Sequence, residues 1–345
     1  MAPPSDGHLA MNALPTTMQA AVAGQIDTPL RLVELGVPAP GPGQVLVRVA
    51  AAGLNPLDTK IRAGKAAHAR HQLPAVLGID LAGTVVALGT DVHQWQIGDA
   101  VYGMTGGVGG VQGSLAEYAA VDAALLAPKP ANLSMREAAA MPLGFITAYE
   151  GLVDRAGVHE GQRVLVHGGA GGVGHLALQL ARARGAEVFA TGSAAQKPMI
   201  EGYGATAIDY TTTPVADYVQ AYTDGEGFDV IYDTVGGATL DASFEAVRTY
   251  QGHVVSALGW GTHALAPLSF RAGTYSGVFT LRPLLTGQGR AHHGEILRQA
   301  TALAEQGHLR THLDPHRFSL AEAEQAYQLI ESGKAAGKVV VDVAG

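Results

Sequence analysis

The stretch VLVHGGAGGVGH (164–175) sets Gly169, Gly171 and Gly174 in a G-x-G-x-x-G spacing between an apolar strand pattern and a helical one, HLALQLARARG. Glycines so placed can hold a pyrophosphate. The first permits a tight turn, the second lets the backbone approach the phosphates, the third lets helix and strand pack closely, and the helix N-terminus turns free N–H groups to the anion. Gly169, Ala170, Gly171, Gly172, Val173 and Gly174 are therefore the expected cradle of a dinucleotide. The next strand ends FATGSAAQK, about twenty residues on, where a site for NAD usually carries an acid for the ribose 2′-hydroxyl. Thr191, Gly192 and Ser193 stand there instead, and Lys197 is the nearest charge, so a 2′-phosphate meets donors and a cation. The expected cofactor is NADPH. A second glycine-rich stretch, MTGGVGGVQG (104–113), leads into SLAEYAAVDAALLAPK with no comparable helix at its end. It is read as a mobile loop bordering the substrate entrance.

The chain has no cysteine, which removes disulfides, thiolate nucleophiles and Cys-containing zinc sites together. Of its 14 histidines, His68 and His71 are three apart and His292 and His293 are adjacent, yet neither pair has further ligands at zinc spacing. All four are read as surface or packing residues, and no metal is expected. The 22 Lys and Arg are scattered, and the net charge of −8 disfavours a nucleic-acid partner. No window approaches the roughly 20 apolar residues of a membrane span, and the first residues carry no basic or apolar leader, so a cytoplasmic, non-membrane protein is expected.

A length of 345 residues implies two cores. Residues 1–17 read as a flexible tail, and from 18 to 145 short alternating runs such as QVLVRVAAAG and GTVVALG, broken by Pro and Gly, describe a β-rich domain. A helical stretch, MREAAAMPLGFITAYEGLVDRA, follows. Residues 146–288 then alternate strand and helix, with strands at RVLVHG, EVFATG, AIDY, DVIYDTV, HVVSALG and GVFTL. Such alternation makes a parallel sheet covered on both faces, with ligands at the carboxyl ends of its strands. Residues 289–345 contribute helices near 294–306 and 320–332 and a final strand, KVVVDV, that returns to the first domain.

In combination, GQVLVRVAAAGLNPLDTKIRAG, GIDLAGTVVALG, GDAVYG, AAAMPLGFITAYEGL, VLVHGGAGGVG, FDVIYDTVGG and GKVVVDV resemble the medium-chain dehydrogenase/reductases. Within them the chain is similar to the zinc-independent quinone oxidoreductase group that includes ζ-crystallin and enone reductases. The resemblance implies an α/β fold: a Rossmann doubly wound parallel sheet plus a GroES-like β-rich catalytic domain built from both chain ends. It also implies a homodimer joined at the last strand of the sheet, here GVFTL. Zinc-dependent relatives carry catalytic ligands where this chain has Asn55, Ile79 and Leu143, none of them a zinc ligand of the expected kind. By resemblance, Ser193, Lys197 and Tyr210 surround the 2′-phosphate and adenosine. Thr147, Thr234, Val235, Gly236 and Phe279 line the nicotinamide side, and Lys338 also reaches the cofactor.

Hydride transfer without a Lewis acid needs an acceptor that is already electrophilic, which points to quinones and α,β-unsaturated carbonyls. In NPLDTKIR, Asn55 and Lys60 are the residues expected to orient and polarise the carbonyl, with Lys60 a proton donor and Asp58 holding that lysine by charge. Lysine at position 60, where several quinone oxidoreductases have tyrosine, resembles the enone-reducing relatives. Trp260 and Tyr275 are expected to wall an apolar pocket. An enoyl-thioester reductase and a non-catalytic NADPH-binding protein remain the alternatives.

Overall fold

The computed structural model describes residues 14–343, so the tail expected at 1–17 lies outside the described residues except for 14–17. Thr17 already begins β1 (Thr17–Ala23), which pairs antiparallel with β2 (Arg31–Gly36). After β3 (Gln44–Gly53), a short helix α1 (Pro56–Arg62) and β4 (Ala75–Val76) come β5 (Asp80–Leu88), β6 (Ala100–Met104), β7 (Tyr118–Asp122) and β8 (Leu126–Pro128). The helical pattern of 135–156 is not one helix. Pro142 has no N–H to continue α2 (Met135–Ala139), so it opens α3 (Pro142–Tyr149), and a wider π-type turn follows over Glu150–Arg155.

Parallel strands and helices then alternate: β9 (Arg163–His167), α4 (Gly174–Ala183), β10 (Glu187–Gly192), α5 (Lys197–Gly202), β11 (Thr206–Asp209), α6 (Val215–Thr223), β12 (Val230–Asp233), α7 (Ala238–Ala246), β13 (His253–Ser256), α8 (Ala266–Phe270) and β14 (Thr274–Gly277). Their sheet runs β11-β10-β9-β12-β13-β14, all parallel. The order reverses between β9 and β12, which opens a crevice at the carboxyl ends of those two strands. The strand expected at GVFTL lies three residues earlier, at TYSG. The ladder ends at Gly277, with a last bond from the Val278 amide to the Ser256 carbonyl, and Leu281 is buried by packing, so the short apolar run imitated a strand.

The chain ends with α9 (Arg282–Thr286), α10 (Arg290–Glu305), β15 (Phe318–Ser319), α11 (Ala323–Glu331) and β16 (Val340–Asp342). β16 pairs antiparallel with β3, Val340 opposite Gly53, inside the sheet β15-β16-β3-β5-β6-β8. The return is fastened by buried polar contacts. Tyr102 on β6 donates its hydroxyl to the Leu297 carbonyl at 2.7 Å and lies 3.1 Å from Thr301 Oγ1 on α10. Arg62 on α1 pairs with Glu324 at 2.6 Å and Glu331 at 2.5 Å, both on α11, and lies over the Tyr327 ring. Among the described residues no helix is long and apolar enough to cross a membrane.

Because Tyr102 is fully buried, removing its hydroxyl discards both contacts without opening a large cavity. Tyr102→Phe is expected to destabilise the protein by about 1–2 kcal/mol, measured by urea unfolding.

Candidate functional site

The glycine loop joins β9 to α4 at the sheet's point of reversal. Its left-handed residue is Gly168 (φ +71), one position before the spaced motif, so the tight turn assigned to Gly169 is made by its neighbour. Gly169 has another reason to be bare: a Cβ there would stand 2.5 Å from Ala190 Cβ on β10. At Gly174 a Cβ would lie 2.0 Å from the Gly168 carbonyl oxygen, so α4 can start against the loop only with glycine. Gly171 and Gly172 remain exposed. Among the described residues, the amides of Gly172, Val173 and Gly174 donate to no backbone carbonyl, and Val173 has no side-chain cap. Free amides on a bare turn ahead of a ten-residue helix fit a dinucleotide's pyrophosphate.

The loop is held from behind by groups that the motif does not include. Thr191 Oγ1 accepts the Gly168 N–H at 3.1 Å and lies 3.1 Å from His167 Nδ1, while the Thr191 carbonyl accepts Gly169 N–H at 2.9 Å. Thr191 is therefore turned into the protein and away from a 2′-phosphate. Burial pushes His167 down to about 4, leaving it neutral beside the loop. Thr234 donates its hydroxyl to the His167 carbonyl at 2.6 Å. Asp233, fully buried, accepts the Val235 and Gly236 amides at 3.0 and 2.9 Å and the Ser256 hydroxyl at 2.7 Å. That carboxylate shapes the turn after β12, which faces the glycine loop across the crevice, and leaves Val235 exposed.

At the end of β10, the Tyr210 amide donates to the Gly192 carbonyl, so residue 210 follows close on the turn that carries Ser193, with its ring exposed. Lys197 stands at the start of α5, and among the described residues its ion-pair partner is Glu201 at 3.6 Å on an exposed face, a contact worth about 0.3–0.5 kcal/mol. A phosphate dianion readily displaces so weak a partner. Thr147 is 7% exposed and its hydroxyl is engaged by the Leu143 carbonyl at 2.6 Å and Thr280 Oγ1 at 2.9 Å.

In the first sheet the arrangement differs from the expected Asp58–Lys60 pair. Residues two apart on α1 point to opposite sides: Lys60 is exposed, whereas Asp58 is fully buried and accepts the Asn55 N–H at 2.8 Å. The buried cation near Asp58 is instead Lys338. Its Nζ donates to the Leu54 carbonyl at 3.1 Å and to Asn55 Oδ1, and Asp80, missed at the sequence level, completes the cluster. Asp80 accepts Asn55 Nδ2 at 3.0 Å and the Leu143 amide at 3.0 Å. Its signal was available: a lone acid inside the apolar run VLGIDLAG. With Nδ2 committed to Asp80 and Oδ1 to Lys338, the Asn55 carboxamide has one N–H left to donate. The Lys338 stem passes under the glycine loop, its Cδ 3.4 Å from where a Gly172 Cβ would be.

The remaining residues sort by packing. His68 meets Trp260 edge-on at 4.2 Å and Phe279 at 6.3 Å, with Lys60 close enough to lower its basicity after burial has done so. Tyr275 is not in that group; it packs against Phe244 from the edge strand β14. His292 contacts Asp154 on the surface, and the buried His293 contacts Glu150. The loop 104–113 does not stand off as a mobile segment: Met104, Thr105 and Val108 are buried, and Gly109 donates to the Ala69 carbonyl at 2.9 Å.

Burial raises Asp58 to about 7 against a backbone hydrogen bond and Lys338, which lower it; Asp80 adds to the rise. A carboxyl whose folded value exceeds its unfolded value of 3.8 stabilises the fold while protonated, and that contribution is lost as pH rises through about 7. The buried His167 and His175, both lowered to about 4, act in the opposite sense below pH 6.5, so a difference between proteins is the proper readout. Asp58→Asn, which mimics the neutral acid, is expected to gain stability relative to the parent as pH rises from 5 to 8, followed by thermal unfolding at both values.

Two family descriptions match this chain: an alcohol dehydrogenase GroES-like domain over residues 41–131 and a zinc-binding dehydrogenase over residues 203–341. Although the second description names zinc, no group of three or more His, Cys, Asp or Glu is placed to hold a metal ion among the described residues. A 2-methylene-furan-3-one reductase of Solanum lycopersicum is 38% identical over 328 residues, 92% of this chain and 76% of that protein. A chloroplastic NADPH-dependent alkenal/one oxidoreductase of Arabidopsis thaliana is 36% identical over 340 residues, 95% of this chain and 80% of its own length. The crystal structure of an alcohol dehydrogenase superfamily protein from Novosphingobium aromaticivorans superposes with a TM-score of 0.93 at 56% identity, covering 95% of this chain and 100% of the other. With a GroES-like sheet, a six-stranded parallel sheet and relatives along nearly its whole length, the chain belongs to the medium-chain dehydrogenase/reductase superfamily, whose members bind a nicotinamide cofactor.

Proposed function

We propose that this oxidoreductase reduces quinones or α,β-unsaturated carbonyls with NADPH. The observation that carries the reading is the Asn55 carboxamide, locked by Asp80 and Lys338 with a single N–H left to donate, beside the lysine whose stem runs under the glycine loop. One fixed donor suits an acceptor whose conjugation already spreads the incoming charge, because such an acceptor needs a hydrogen bond at its oxygen and no metal. Bound NADPH supplies a hydride. Asn55 orients the acceptor's oxygen, and the exposed Lys60, on the same side as His68, donates the balancing proton directly or through water. Relatives named for the reduction of a methylene-furanone and of alkenals support the acceptor class.

For the cofactor, the free amides of Gly172, Val173 and Gly174 take the pyrophosphate, with Gly169, Ala170 and Gly171 completing the bare turn. Ser193, Lys197 and Tyr210 take the phosphorylated adenosine; Thr147, Thr234, Val235, Gly236 and Phe279 line the nicotinamide side, and Lys338 supports the loop from below. The chain acts as a homodimer through β14, whose outer edge has no partner strand among the described residues and is flanked by Tyr250 at 81% and Phe270 at 87% exposure.

The direct test is oxidation of NADPH and NADH at 340 nm against quinones, enones, 2-alkenals and saturated aldehydes. Turnover with NADPH restricted to the conjugated acceptors is expected, and NADPH binding without any turnover would overturn the reading. Losing one charge-assisted hydrogen bond of about 1.5–3 kcal/mol, Lys197→Ala is expected to raise KM for NADPH at least tenfold with little change for NADH, by steady-state kinetics. Phe270→Asp should convert the dimer to monomer in sedimentation velocity.

A further inference from the structure

The exposed apolar groups at the carboxyl ends of the parallel strands are not scattered. Leu258 and Trp260 follow β13, Phe279 follows β14, and Val235 follows β12; Trp260 is 55% and Phe279 42% exposed. Trp260 and Phe279 stand 6.3 Å apart, and both meet His68, which comes from the turn between α1 and β4 on the other side of the crevice. Three rings from three distant segments therefore meet edge-on where the two sheets face each other, beside the exposed Lys60.

The loop MTGGVGGVQG holds both halves of this group. Gly109 (φ +62) donates its amide to the Ala69 carbonyl, next to His68, and a Cβ on it would stand 3.2 Å from Leu285 Cδ2 on α9, the helix that continues from Phe279. The second glycine stretch thus works as a dock for α9 and the His68 turn, which fixes the relative placement of rings that no local contact would hold. The Trp260 indole is anchored by its own N–H to the Ala257 carbonyl at 3.2 Å, so its face is presented in a set orientation.

We infer that Trp260, Phe279 and His68 form the acceptor subsite and select planar, ring-bearing conjugated acceptors, such as naphthoquinones and cyclic enones, over short open-chain alkenals. The inference rests on the proposed reductase function. Aromatic rings in edge-to-face contact reward a flat acceptor that can lie against the exposed indole and phenyl, and a three-carbon alkenal has too little surface to gain from either. Burial, then the nearby Lys60, lowers the basicity of His68, which disfavours a charge on this wall.

The test compares the parent enzyme with Trp260→Ala and Phe279→Ala on 1,4-naphthoquinone, 2-cyclohexenone and acrolein, with NADPH saturating. The ratio of kcat/KM for naphthoquinone to that for acrolein is expected to fall about tenfold in each variant. A ratio that stays constant while the parent turns over all three acceptors would overturn the subsite and leave the reductase function standing; no turnover by the parent overturns both. Tryptophan fluorescence gives a reading independent of turnover. The chain has two tryptophans, and Trp95 is buried, so naphthoquinone added to the NADP⁺ complex should quench the Trp260 emission. Quenching of equal size in Trp260→Phe would place the acceptor elsewhere.

Discussion

A buried ammonium survives in a protein only where carboxylates and carbonyls replace its water, and Lys338 imposes that requirement on everything around it. Its partners come from three places, Leu54 and Asn55 just after β3, Asp80 at the head of β5 and Asp58 inside α1, while Lys338 itself stands just before β16. Asp80 extends the cluster to the first amide of α3 at Leu143. Lys338 lies more than 280 residues from Leu54 and Asn55, so the two ends of the chain must meet for the cluster to form. The same geometry that satisfies the charges also aims the Asn55 carboxamide. Stability and orientation are here a single constraint.

Glycine serves two different ends in two stretches of nearly the same composition. After β9 the bare loop leaves amides unpaired ahead of α4, and the small residues there permit both the sharp turn at Gly168 and the contact of α4 with the Gly168 carbonyl. In 104–113 the glycines let backbone press on backbone: a Cβ at Gly106 would lie 2.0 Å from the Gln112 carbonyl oxygen, and one at Gly113 2.2 Å from that of Leu77. One loop keeps its donors for a ligand. The other spends them on its own turn and on neighbouring backbone, Ile79, Val76 and, beside His68, Ala69.

Much of the scaffold was legible in the residues. QVLVRVAAAG and EVFATG are β3 and β10 to the residue, and the first five parallel strands lie within a few positions of their expected places, because long apolar runs between glycines have few other uses. GVFTL failed because a short apolar run with a β-branched residue and an aromatic reads as a strand even where burial comes from packing alone. Asp58 and Lys60 failed because opposite charges two residues apart suggest a pair, while the helix that contains them turns one inward and the other outward.

The fold class and the bare glycine loop after β9 were legible because both depend on local properties: periodicity, glycine spacing, and the helix that follows. Asp80 stood in plain view as an acid in an apolar strand, yet its partners did not. It took the packed chain to show that Lys338 rather than Lys60 is the cation near Asp58, and that the rings of His68, Trp260 and Phe279 meet. These contacts join segments far apart in the chain, and their pairing follows from strand order and sheet packing, which no window of residues encodes.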